Sequence, residues 1–215
     1  MVKNYKTYLM LIILISLNGC ACALTLKAAI GVGAWDALAQ TFSLVTSIKV
    51  GTMGFIFNCG CVLGELLLLK KEFNYRHILQ ILVSFLFGFV VNFMTYSVLN
   101  FELSSYPLRL MALIIGYIGM AIFVGGIMAL NVVTFALEGF CLELSKKTKF
   151  EFSKIRQSVD IIGIIVSLLV CFFSDLPLVI REGTVLGMLI YAPILKIAMD
   201  KQIQLFKQLE IINER

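Results

Sequence analysis

From Thr7 to Leu26 the chain carries no charged side chain, and the same holds from Ile78 to Phe101 and from Leu110 to Leu137. Each run is long enough to cross about 30 Å of hydrocarbon as a helix. Three further apolar runs contain a few charges: Val50 to Leu69 with Glu65, Ile155 to Ser174 with Arg156 and Asp160, and Gly183 to Met199 with Lys196. In the fifth run each charge would cost about 2.5 to 3.5 kcal/mol at mid-membrane, against a gain of about 0.3 to 0.6 kcal/mol for each strongly apolar residue. Arg156 and Asp160 both lie at one end, where that penalty falls, so six spans are expected.

Between the first and second runs stands Gly31-Val32-Gly33-Ala34-Trp35-Asp36-Ala37-Leu38. The two glycines release the backbone ahead of a short helix with Trp35, Leu38, Phe42 and Val45 on one side. A helix of that length dips into the membrane or lies flat on it. The connection it occupies, Ala28 to Lys49, has a counterpart in Asn131 to Lys149, and a shift of 102 positions lays one on the other. Asp36 then meets Glu138, Thr46 meets Thr148 and Asn58 meets Asp160, while Trp35, Leu38, Phe42, Ile48 and Val50 meet Leu137, Phe140, Leu144, Phe150 and Phe152. The match is one of residue character, with few identities. A unit of three spans enters and leaves on opposite sides, so its copy must be upside down. The expected fold is an all-α polytopic membrane protein, six transmembrane helices as 3+3 inverted repeats, with a short re-entrant or interfacial helix after helices 1 and 4. Residues 7–100 form repeat one and 107–200 repeat two, within a single membrane domain 1–215 that ends in a cytoplasmic tail, 201–215.

Composition agrees: the 215 residues are 60% hydrophobic and 14% charged, against about 45 to 50% and about 25% in soluble domains. That excludes a soluble globular enzyme. Of the 18 Lys and Arg, an inside N-terminus and six spans leave only Lys27, Lys49, Arg109 and Arg181 outside. Cytoplasmic loops are enriched in these residues, so both termini are expected in the cytoplasm. The net charge of +5 then reflects topology and anionic lipid, with the bilayer as partner and no nucleic acid. Lys3, Lys6 and the run ending Leu17-Asn18-Gly19-Cys20 resemble a lipoprotein signal. The apolar run continues to Leu26, however, and the span is expected to be retained.

Asp36, in the first turn of the short helix, suits capping of backbone N–H groups or a proton or cation site facing a cavity; capping is favoured. Trp35 reads as an interfacial anchor ahead of a ligand-stacking ring. Arg156 and Asp160, four apart, share a helix face and can pair. The functional alternative has Asp160 and Asn58 facing a central cavity with Asp36 and Glu138, and Gly31 and Gly33 shaping the elbow. Asn92 is a secondary candidate, as is Glu65, which is expected to snorkel beside Lys70 and Lys71. His77 is expected to be a solvated interface residue. The pairs Cys20/Cys22 and Cys59/Cys61 cannot chelate from one face, because residues two apart on a helix diverge by about 200°. No metal or cofactor is expected. Small residues such as Gly60 with Gly64, Ala112 with Gly116, and Gly183 with Gly187 suit helix contacts. No phosphate loop, nucleophile elbow or zinc-protease motif occurs, so no enzymatic activity is expected.

Through the Gly31–Leu38 segment, with Ser153, Arg156, Asp160 and Gly163 in the fifth span and Gly183-Thr184-Val185 opening the sixth, nearly the whole chain resembles the YczE/YyaS/YitT group of bacterial integral membrane proteins, in its YczE-like branch. That group typically carries Gly-Pro-Trp-Asp after the first span; Ala34 stands here in the proline position, which softens the kink. The resemblance implies a six-helix protein of the bacterial cell membrane and transfers no catalytic residue. Two functions remain open: a small transporter-like permease for a small polar or charged solute, or a non-transporting scaffold, accessory subunit or substrate-binding membrane component of a larger importer. A homo-oligomer and a partner subunit are both compatible with either.

Overall fold

The computed structural model describes residues 5–209 and 211–212; Lys3 and Arg215, which entered the charge count, lie outside them. All regular structure among the described residues is helical, in the order α1 (Tyr5–Ala28), α2 (Ala34–Thr46), α3 (Val50–Leu69), α4 (Tyr75–Phe93), α5 (Tyr106–Leu130), α6 (Ala136–Thr148), α7 (Phe152–Phe173) and α8 (Glu182–Gln208). Six of these are long and apolar enough to cross a membrane; α2 and α6, with 13 residues each, are not. The last turn of α4 widens into a π-helical turn, Met94–Val98.

The fourth expected span, Leu110 to Leu137, overran its helix. α5 stops at Leu130 because Asn131 turns left-handed (φ 49°), and the charge-free residues beyond it form an elbow and the start of α6. Hydropathy cannot register such a turn, since elbow and helix are equally apolar. At the C-terminal end, α8 continues as one helix to Gln208.

α1 and α5 form the central pair and run antiparallel. Gly116 packs on Thr25 and Ala21, Gly119 on Ala21, and Gly126 on Leu14. Small residues let the two backbones approach this closely. α8 runs parallel to α5, with Gly183 against Leu113, Gly187 against Tyr117 and Gly125 against Met199. Gly60, by contrast, faces open space and packs on nothing. Thr7 Oγ1 donates to Ile211 O at 2.7 Å, so the start of α1 and the residues after α8 meet at one end of the bundle. Lys147 Nζ donates to Leu68 O at 2.9 Å, which joins the end of α6 to the end of α3. Lys70, Lys71, Arg76, Lys146 and Lys147 lie near this junction, and it forms a basic end.

Local geometry recurs 102 residues apart. Ala29 and Asn131 are both left-handed, as are Ser47 and Lys149 at the ends of the short helices. Ser43 Oγ donates to Ile48 O at 2.5 Å and Ser145 Oγ to Phe150 O at 2.6 Å; Thr46 Oγ1 donates to Phe42 O at 2.7 Å and Thr148 Oγ1 to Leu144 O at 2.8 Å. Packing recurs too: α2 lies on α7 as α6 lies on α3, and α1 meets α4 as α5 meets α8.

Candidate functional site

The elbow after α1 is held from α8. Ile30 O accepts from Gly183 N–H at 2.8 Å, and Arg181 Nη1 donates to Ala29 O at 3.0 Å. Gly31 has φ +111°, and a Cβ there would meet Thr184 N at 2.8 Å, so both backbone conformation and close approach require glycine. Gly31 is therefore a joint between α1 and α8. Gly33, the N-cap of α2, comes closer to the charged groups: a Cβ there would lie 3.4 Å from Asp36 Oδ2.

From these elbows α2 and α6 each present a carboxylate at their third residue, Asp36 and Glu138. Between them stands Arg156 of α7. Its Nε lies 3.5 Å from Glu138 Oε1, and its Nη1 pairs with Asp160 one turn along the same helix. The side chains of Arg156, Glu138 and Asp160 keep 25%, 34% and 27% of their surface. They are thus partly buried, and sheltered enough for their charges to interact strongly. Asp36 lies within electrostatic reach of all three. Loss of hydration among the helices pushes its carboxyl up to about 6; Arg156 pulls the other way, and Asp160 and Glu138 add to the rise.

The Asp36 carboxylate stays beside Gly33, the N-cap of α2, and is at the same time within electrostatic reach of the cluster. Trp35 packs against α3. It is half-buried, its indole Nε1–H donates to Asn58 Oδ1 at 3.2 Å, and its ring meets Phe57 edge-on at 6.0 Å. Asn58 thus ties α3 to the first turn of α2. Asn92 is engaged elsewhere: its Oδ1 accepts from Gly51 N–H and its Nδ2 donates to Thr52 Oγ1, both at 2.8 Å, satisfying the exposed N-terminus of α3.

Two tyrosines missed by sequence reasoning complete the surroundings. Tyr117 of α5 and Tyr191 of α8 both lie within electrostatic range of Asp36 and Cys22, and Tyr191 also of Glu138 and Arg156. Tyr117 is buried with no hydrogen-bond partner for its hydroxyl. A helix four residues before Tyr117 carries Leu113 and four after carries Ala121, so its face reads simply as core, and only its unpaired hydroxyl distinguishes it.

Six long apolar helices and two short helices whose first turns bear carboxylates define an α-helical, multi-pass membrane protein with a half-buried ionic cluster. The chain matches the model of DUF6198, a family of unknown function, over residues 5–200, and it belongs to that family. No curated protein and no solved structure matches it.

Proposed function

We propose that this protein is a small permease of the cell membrane, with both termini cytoplasmic, built from two inverted three-span repeats. It takes a small cationic solute, or protons, at the Asp36–Glu138–Arg156–Asp160 cluster. The observation that carries the reading is the convergence of Asp36 from α2 and Glu138 from α6 on one arginine of α7. Secondary transporters of inverted-repeat design keep their sites where interrupted helices meet near mid-membrane. The antiparallel course of α1 and α5 and the geometry recurring at an interval of 102 residues support the inversion, and the excess of basic residues at one end of the bundle supports the orientation.

Charge selects the solute class. Three carboxylates face one guanidinium and two helix N-termini, each equivalent to about +0.5 of a charge. The balance is about one negative charge, which suits a proton or a small monovalent cation such as an amine. The elbow sequence and the short helix after it also support kinship with the YczE-like proteins. Uptake of a panel of amines, amino acids and inorganic cations into proteoliposomes tests the reading. Asp36→Asn and Asp160→Asn should each abolish solute-dependent uptake at unchanged insertion. Normal uptake in both would reject the site, and no uptake of any solute by the parent would favour the accessory-subunit alternative.

A further inference from the structure

Glu65, on the last turns of α3, does not snorkel toward Lys70 and Lys71. Its side chain is fully buried, and neither carboxylate oxygen has a hydrogen bond of normal geometry. It is turned against α6, where a Cβ on Gly139 would collide with its Oε1 and would lie 2.6 Å from Gln80 Nε2. Gln80 and Ser84 of α4 are buried as well, and Gln80 Oε1 and Ser84 Oγ also lack partners. Gln80 Nε2 reaches Thr134 Oγ1 at 3.4 Å. The Gln80 amide is the polar group nearest the carboxylate on α4, and a neutral amide alone does not offset the cost of a buried ionised carboxylate, which therefore acquires a counter-charge or a proton.

The group positioned to supply one is His77, which is not the solvated residue its sequence position suggests. Its Nε2 lies 3.7 Å from Glu65 Oε2, its ring stacks on Phe73 at 4.8 Å, and its side chain is 14% exposed. Its Nδ1 accepts from Asn74 N–H at 3.3 Å in a capping box at the start of α4. Nδ1 also lies 3.4 Å from Asn74 O, so either tautomer is accommodated; when Nδ1 accepts from Asn74 N–H, the ring hydrogen is on Nε2, the nitrogen that faces Glu65. The other ionisable groups near the pair are Glu143 and Lys146 of α6, and Cys61 one turn earlier on α3.

We infer that Glu65 and His77 together form a proton-binding site, in which one exchangeable proton passes between the basic end of the bundle and the buried carboxyl through the imidazole. His77, at the rim, is the link to water, while Gln80 and Ser84 provide polar contacts for whichever form the carboxyl takes. Gly139, on which Glu65 presses, is the residue after Glu138, so the proton occupies the seat of α6 directly behind the ionic cluster. At the matching seat of α2 on α7 the residues are Ala37 and Ser167, and no charge is stored there. The site therefore distinguishes the two ends of the molecule.

The chain contains a single histidine, so ring-15N-histidine labelling of the full protein in lipid nanodiscs reports His77 alone. Between pH 5 and 9 the ring signals should titrate, and Glu65→Gln should move the midpoint by about one pH unit or more. Infrared difference spectra over the same range should contain a carboxylic-acid C=O band that Glu65→Gln removes. Identical histidine titrations in parent and variant would overturn the proposal. So would reproduction of the same spectral change at fixed pH by sodium ions, which would mark a metal-cation site. Should Glu65→Gln fail to fold, His77→Gln is read by infrared instead: the Glu65 band must change its midpoint, and an unchanged band overturns the proposal. These readouts do not depend on transport, so they separate this site from the solute site.

Discussion

α3 and α4 pack along their length, whereas α7 and α8, which hold the matching positions 102 residues later, have no comparable contact. The difference has a cause in four residues. Gly51 and Gly88 bring the first two backbones so close that a Cβ on either would collide with the carbonyl oxygen of the other. Their counterparts are Ser153 and Ile190, whose side chains forbid that approach. The bonds that secure the first pair, from Gly51 and Thr52 to Asn92 and from Val50 N–H to the Tyr96 hydroxyl at 3.2 Å, are also absent by composition, because Ile194 and Ala198 stand at the matching places. Helix pairs 102 residues apart are thus closed on one side and open on the other, because two glycines and an asparagine of the first pair have no equivalent in the second. Arg156, at the start of α7, lies beside the open side, and its counterpart Gly54 carries no charge.

The elbows differ in the same spirit. Gly31 is bound by backbone contacts to α8, while its counterpart Val133 borders an apolar groove of about 280 Å³ with Leu11, Ile15, Leu79 and Val83. The first joint is held through a main-chain hydrogen bond between α8 and Ile30, whereas the second receives a side-chain bond, from Gln80 Nε2 to Thr134 Oγ1.

The contrast between the helix pairs is broken most directly by Gly51→Leu. Overpacking a close contact costs about 1 to 3 kcal/mol, and with main-chain atoms as the obstruction the upper figure is expected. Thermal unfolding in detergent should register it, together with new protease cleavage between α3 and α4. Ser153→Leu, the same change at the matching place, should cost less than about 0.5 kcal/mol. Equal losses would mean that the two pairs are packed alike. A smaller effect follows from Asn92→Ala, which leaves the Gly51 N–H without its acceptor: about 1 kcal/mol in the same assay. A neutral result there would remove the cap from the account of why α3 and α4 stay together.

Much of this architecture is legible in the chain. Val50 and Leu69 bound both the expected second span and α3, because a lysine stands on either side. The short helices and their pairing are visible because Asp36 and Glu138 interrupt apolar runs at equal intervals. What stays hidden is which face of each helix turns inward. α3 is apolar nearly all round, so nothing in its sequence says that Glu65 points at α6 instead of back toward Lys70. His77 and Gln80 become its neighbours only through the antiparallel turn into α4. Asn92 was equally ambiguous: an amide near a span's end serves a helix terminus or a solute equally well until the partner helix is known.

The smallest expected effect concerns pH, and it asks whether the two first-turn carboxylates are equivalent. Asp36 has its carboxyl raised from an ordinary 3.8 to about 6, chiefly by loss of hydration. A group whose folded value exceeds its unfolded one favours the folded state while it is protonated. Its contribution is complete below about 3.8, diminishes above that, and is lost as pH rises through about 6. The parent should therefore lose melting temperature between pH 4 and 7 relative to Asp36→Asn, whose amide stays neutral throughout. Arg156 touches Glu138 directly and reaches Asp36 only at longer range. Parallel curves for the parent and Asp36→Asn would mean that Asp36 is hydrated in the folded protein, and that the cluster opens to water from the α2 side as freely as from the α6 side.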